Sequence, residues 1–328
     1  SPRSYIPMGF RTVENTPSRD LSDKGIADVV EALLGSYYLY CKGDLMSTWK
    51  NIIIWLKIVE DSECTHNFNI IRLITSRKQL HELPIQERSM IEEVYTLLQY
   101  RFQYPQLLLE ALTHTSYDSA DVGCYQRLEF LGDALLDLIV VQHLYDNEQQ
   151  LNPGHISGWR SVIVSNEVLG FALERMGIEK YIRKNSVSLD NDIQRFRMAA
   201  KHITTLKDIL YPQFSAQCKD NNSSNSAFFP PKILGDVFES ILGAIFIDSG
   251  GNMETIKTFV KTYLIDPYLE APLHYDDDRR WSLHRNPSSI VTEVVSLLGC
   301  QQYSIEYETT NTHPPQMLCK IKIHDIYV

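Results

Sequence analysis

No stretch of this 328-residue chain is long and apolar enough to cross a bilayer. A span needs roughly 18 or more consecutive apolar residues, and the oiliest run, Ile52-Ile53-Ile54-Trp55-Leu56, reads as part of a buried helix. No membrane partner is expected. The N-terminus, Ser1-Pro2-Arg3-Ser4-Tyr5, has neither a signal peptide's apolar core nor an initiating methionine, so a piece of a longer protein is expected. The cysteines (Cys41, Cys64, Cys124, Cys218, Cys300 and Cys319) are scattered, with no CxxC pair or tight Cys/His spacing. That leaves both a zinc site and a disulfide framework unsupported. Reduced thiols and a cytoplasmic location, with the nucleus as the alternative, are expected, and the sequons at Asn221 and Asn222 then carry no meaning. Positive charge is scarce too: 31 Lys and Arg against 41 Asp and Glu leave a net charge of −10. A simple electrostatic nucleic-acid binder carries a basic surface and is disfavoured. Chemistry on nucleic acid is not excluded, because bound cations offset clustered carboxylates locally. There is no Gly-rich phosphate loop, so ATP binding is not expected. No Ser/His/Asp arrangement suggests a protein nucleophile, and His114 reads as a hydrogen-bonded structural histidine.

What the chain does have is acid placed in oil. From Gln126 to Asp137, Glu129, Asp133 and Asp137 fall at i, i+4 and i+8, one stripe of a helix. Its other faces carry Leu128, Phe130, Leu131, Leu135 and Leu136, so burial on most sides is expected. A second feature is a repeat. Lys24-Gly-Ile-Ala-Asp28-Val-Val-Glu31-Ala-Leu-Leu-Gly35 recurs as Lys232-Ile-Leu-Gly-Asp236-Val-Phe-Glu239-Ser-Ile-Leu-Gly243. Both copies keep Lys, Asp and Glu at the same spacing. Charges in such helices are costly to bury without compensation, and a divalent cation is the obvious candidate. The plain alternatives are a stripe of acids facing water and, for Lys232, an exposed lysine at a helix start.

Periodicity makes the expected fold class mainly all-α, with a small α+β segment at the C-terminal end. Helices are expected over 26–40, 45–59, 90–100, from Pro105 to Leu112, 125–145, 155–164, 166–176 and 193–210. The repeated helix starts at Lys232 and ends at Gly250-Gly251, and a further helix spans 253–268. A helix over 287–298 and alternating strands at 303–307 and 318–328 follow. Two such helices side by side would converge Glu129, Asp133, Asp236 and Glu239, an oxygen-only set suited to Mg²⁺. Four carboxylates and a lysine fit phosphodiester hydrolysis, with Lys232 balancing charge or reaching a phosphate oxygen.

Three segments in order carry a resemblance. They are Glu110-Ala-Leu-Thr-His-Thr-Ser-Tyr117, Arg127-Leu-Glu-Phe-Leu-Gly-Asp133 and Gly235-Asp-Val-Phe-Glu-Ser240, and they look like the ordered motifs of ribonuclease III. The resemblance covers residues 88–272 as one complete domain and implies the ribonuclease III helical fold. Carried over by position, Glu129, Asp133, Asp236 and Glu239 would be the metal-binding catalytic carboxylates, with Lys232 beside them. Asp137 lies outside that quartet, and its place on the stripe would add charge behind it. Residues 1–60 resemble the closing half of another such domain, with Asp28, Glu31 and Lys24 as its half-site and the other half expected upstream of Ser1. Residues 61–87 would then be a linker. Residues 284–328 resemble the start of a double-stranded-RNA-binding domain, missing its last strand and helix.

This order resembles the Dicer branch of the family. It implies intramolecular pairing of the two ribonuclease III domains and Mg²⁺-dependent cleavage, with Mn²⁺ as a substitute. Each domain would cut one strand of double-stranded RNA, giving short regulatory duplexes with 5′-phosphates and 3′ overhangs. Implied partners are duplex RNA, a double-stranded-RNA-binding helper protein and an Argonaute. The rival readings are an inactive scaffold or duplex binder of the same fold, and a homodimeric ribonuclease III with an N-terminal extension. The retained acids weigh against the first, and the repeated Lys-Asp-Glu helix against the second.

Overall fold

The structure, a computed structural model, describes residues 22–45, 47–48, 83–118, 122–147, 153–201, 203, 209 and 229–269, together with the backbone of three strands between 303 and 327. The chain divides into two compact units, residues 1–69 and 70–328.

In the first unit, α1 (Asp23–Tyr40) starts at Ser22, whose side chain accepts a hydrogen bond from the Gly25 N–H. It ends in a left-handed pair, Lys42 and Gly43 (φ 55° and 79°). Glycine takes that conformation without strain, whereas a lysine there costs about 1 kcal/mol. No α1 side chain is buried, and Val29 and Tyr40 are 49% and 80% exposed. The helix expected over 45–59 lies almost wholly outside the described residues.

The second unit is built around α8 (Lys232–Asp248), which is apolar on nearly every face. It packs on α3 (Pro105–Ala111), α4 (Gln126–Asn147), α6 (Asn166–Met176) and α9 (Met253–Val260). Phe171, Phe196, Phe238, Leu107, Leu136 and Ile163 are among the fully buried side chains of this single core. The crossing of α4 with α8 is unusually close. A Cβ at Gly132 would sit 1.8 Å from the Glu239 carbonyl oxygen, and one at Gly243 would sit 2.3 Å from that of Leu128. Only glycine permits backbone contact at both points, which is how the two acid-bearing helices come together.

The last turn of α8 repeats that of α1. Ser249, Gly250 and Gly251 donate to the carbonyls of Ile245, Ile247 and Phe246, as Cys41, Lys42 and Gly43 do to those of Tyr37, Leu39 and Tyr38. Gly250 and Gly251 also have positive φ, 71° and 85°.

Several boundaries differ from expectation. The helix α2 (Ile85–Leu98) begins five residues early, directly after Pro84. Its first turns are held by an ion pair from Glu87 to Arg183 at 3.0 Å and by the Arg88 guanidinium on the Leu83 carbonyl at 2.6 Å. The helix α5 spans Pro153–Ile163, and α7 (Val187–Ala200) starts well before 193 because Ser186 caps it, accepting from the Leu189 N–H. The helix beginning at Met253 widens into a π turn over Lys261–Ile265 before α10 (Asp266–Leu269). Nor is α4 covered on most sides: Phe130 is 82% exposed and Tyr145 55%.

Near the C-terminal end, β1 (Tyr303–Thr309), β2 (Met317–Ile323) and β3 (Ile326–Tyr327) form an antiparallel sheet in that order. Its register pairs Tyr303 with Ile323 and Thr309 with Met317. The helix expected over 287–298 lies outside the described residues.

Candidate metal centre

Asp236 and Glu239, three residues apart on α8, share one face. Glu129 lies in the first turn of α4, at the glycine-lined crossing. One carboxylate oxygen from each of Glu129, Asp236 and Glu239 falls within 4.8 Å of the others. Asp236 is buried, and the two glutamates are half-buried. Asp133, a turn further along α4, is exposed and outside this three-way cluster, although its charge acts on Glu239.

Lys232 begins α8 and leans over the acids. Its ammonium pairs with Asp236 Oδ1 and lies 3.5 Å from Glu129 Oε1, while the side chain stays 75% exposed. Burial pulls its pKa down, but the two carboxylates outweigh that and leave it raised. One lysine does not balance the cluster. Burial, reinforced by Asp133, Asp236 and Glu129, pushes the Glu239 carboxyl up to about 8. Glu129 and Asp133 are also raised, by burial first and then by Asp236 and Asp137 respectively. Acids behave this way when gathered with less positive charge than they need.

Asp137, a turn beyond Asp133 on the same stripe, lies outside the cluster, and its charge helps raise the Asp133 carboxyl. Arg160 of α5 donates to it through Nε at 2.7 Å and Nη2 at 2.5 Å, which offsets part of that charge. His114 accepts the Ser116 N–H at Nδ1 (3.1 Å), and its ring stacks on Tyr125 with centroids 6.0 Å apart. Burial holds its pKa down. It is a bound structural histidine behind the acids. Asp28, Glu31 and Lys24 are all exposed on α1, and among the described residues no carboxylate cluster forms around them.

Sequence reasoning missed Tyr125, whose hydroxyl donates to Asp236 Oδ2 at 3.1 Å, and Arg160. Tyr125 directly precedes the acid-bearing helix, the one local hint available; Arg160 has none. Oxygen donors alone, with excess negative charge, suit a hard divalent cation.

Residues 126–250 match the model of the Ribonuclease III domain, and that span contains every residue of the acid cluster. The chain belongs to the ribonuclease III family. This ribonuclease III domain is the helical body around α8. Among curated relatives, Endoribonuclease Dicer homolog 2 of Arabidopsis thaliana is 36% identical over 77% of this chain and 16% of its own length. Endoribonuclease Dcr-1 of Drosophila melanogaster is 33% identical over 81% of this chain and 13% of its own. The chain thus spans under a fifth of those relatives. Among solved structures, the ribonuclease III nuclease domain from Campylobacter jejuni is 26% identical, with 54% of this chain and 98% of that one covered and a TM-score of 0.40.

Proposed function

We propose that the chain is the nuclease part of a Dicer-type endoribonuclease that hydrolyses phosphodiester bonds of double-stranded RNA. The observation that carries this reading is the convergence of Glu129, Asp236 and Glu239 within 4.8 Å, inside a ribonuclease III domain. These three, with Asp133 alongside, would hold Mg²⁺, or Mn²⁺ in its place. When bound, the metal would supply Lewis acidity at the phosphate and would make a water easier to deprotonate into the attacking nucleophile. Lys232, exposed yet anchored to two of the acids, is placed to meet a phosphate oxygen. Glu239 must give up its proton before it can act as a ligand.

The reading extends to paired domains, each cutting one strand. The repeated helix α1, with Asp28 and Glu31, would supply half of the first site, as its shared capping pattern with α8 supports. Phe130 stands 82% exposed on α4 beside a cleft of about 400 Å³ lined by Gln126, Arg127, Leu128, Leu131 and Ile247. The exposed aromatic and the apolar cleft beside it together make a surface of the kind that marks an interaction site, proposed here for a paired ribonuclease III domain. Residues 303–327 would open a double-stranded-RNA-binding fold that contacts the duplex backbone.

The test is cleavage of end-labelled RNA, duplex against single strand of the same sequence. Preferential cutting of the duplex with 5′-phosphate products supports the reading. Equal cutting of both forms, or a duplex that is bound and never cut, points to another nuclease specificity or to a scaffold.

A further inference from the structure

Tyr125 touches both halves of the acid cluster. Its backbone is fixed from behind: its N–H donates to the Thr113 carbonyl at 3.0 Å, and its carbonyl accepts the Glu129 N–H at 2.9 Å. Its ring is 7% exposed and stacks on His114. Its hydroxyl reaches across to α8 and donates to Asp236 Oδ2 at 3.1 Å. Oδ1 of the same carboxylate faces the other way, toward Lys232 and, through it, Glu129. One residue therefore sets the start of α4, which carries Glu129, and fixes which way the buried Asp236 carboxylate points.

We infer that Tyr125 is a positioning residue of the metal centre: by taking Oδ2 of Asp236, it commits Oδ1 as the oxygen offered to the metal. The inference rests on the metal-binding reading of the acid cluster. A carboxylate on a helix can rotate about its side-chain torsions, and a ligand oxygen that must be recaptured from several rotamers binds more weakly than one held in place. Groups that hydrogen-bond a metal's ligands typically contribute about 10–100-fold in affinity. Burial and the nearby Asp236 carboxylate both raise the tyrosine's pKa, so it remains a donor through the neutral range.

Tyr125→Phe removes the hydroxyl and keeps the ring against His114, which separates positioning from packing. The measurement is Mn²⁺ binding to the whole chain by calorimetry, without RNA, paired with a metal-free thermal melt. The expected result is an affinity about 10–100-fold weaker in Tyr125→Phe, with the melting transition retained. A second arm repeats the substitution in an Asp236→Asn background, where it should change Mn²⁺ affinity little, since the carboxylate it orients is gone. Equal Mn²⁺ affinity in wild type and Tyr125→Phe overturns the inference while leaving the metal centre standing. Weaker binding accompanied by a collapsed melt, or an undiminished effect in the Asp236→Asn background, assigns Tyr125 to folding and overturns it as well. If the wild type itself binds no Mn²⁺, the metal centre fails and the inference goes with it.

Discussion

Gly132 lies directly against the backbone of Glu239, so close that a Cβ on the glycine would come 1.8 Å from the Glu239 carbonyl oxygen. That contact fixes the spacing of the two acid-bearing helices. Gly132→Ala must push α4 from α8, because the obstruction is backbone and cannot rotate away. Overpacking of this kind costs about 1–3 kcal/mol, and the upper end is expected here. Urea unfolding would report the loss of stability, and Mn²⁺ binding should weaken in parallel as Glu129 moves from Asp236 and Glu239.

Glu239 predicts a pH dependence. Its carboxyl, raised to about 8 in the folded protein, is near 4.3 in an unfolded chain. Between those values the folded state holds the extra proton, so metal-free stability falls as pH rises toward 8. Metal binding runs the other way. The proton must leave, so affinity should climb with pH and level off above about 8. Melts from pH 5 to about 8.5, with and without Mg²⁺, check both signs, and Glu239→Gln should flatten the metal-free trend.

The Arg160–Asp137 fork partly offsets the negative charge that Asp137 brings to bear on Asp133. Burial, followed by Asp137, raises the Asp133 carboxyl, and Arg160 opposes the rise. Arg160→Met should raise it further and weaken metal binding, whereas the double variant with Asp137→Asn should recover most of the loss. The pair is partly exposed, at 38% and 29%, so its own contribution to stability is about 1 kcal/mol or less. A double-mutant cycle in Mn²⁺ affinity separates the electrostatic effect from the structural one.

Phe130 offers a test of domain pairing. Phe130→Glu places a charge on the exposed face of α4 without touching the core. Mn²⁺ binding should be retained while duplex cleavage falls at least tenfold, as read by gel under saturating Mg²⁺. Cleavage at the wild-type rate would remove this face from the account.

Helix α8 was the most legible element, because its apolar run extends from Ile233 to Ile247 with acids only at Asp236 and Glu239. Its burial follows from composition alone. The pairing of Glu129 with Asp236 and Glu239 was expected from motif order, but the glycine contacts that allow it have no periodic signature. Helix α7 begins at Val187 rather than 193 because the Ser186 cap and the 2.8 Å Lys184–Asp190 ion pair hold its first turns helical. Exposure of Phe130 was hidden because periodicity shows which faces are apolar, not which are covered. Tyr125 and Arg160 act through contacts distant in sequence, and no local pattern encodes those.

The proposed hydrolytic metal centre is the cluster of Glu129, Asp236 and Glu239. Its most direct test is cleavage of labelled duplex RNA by the chain with Mg²⁺ or with EDTA, comparing wild type with Asp236→Asn. Cutting should need Mg²⁺ and be lost from this domain in the variant while duplex binding persists. Cutting that survives EDTA, or that continues at the wild-type rate in Asp236→Asn, would contradict it.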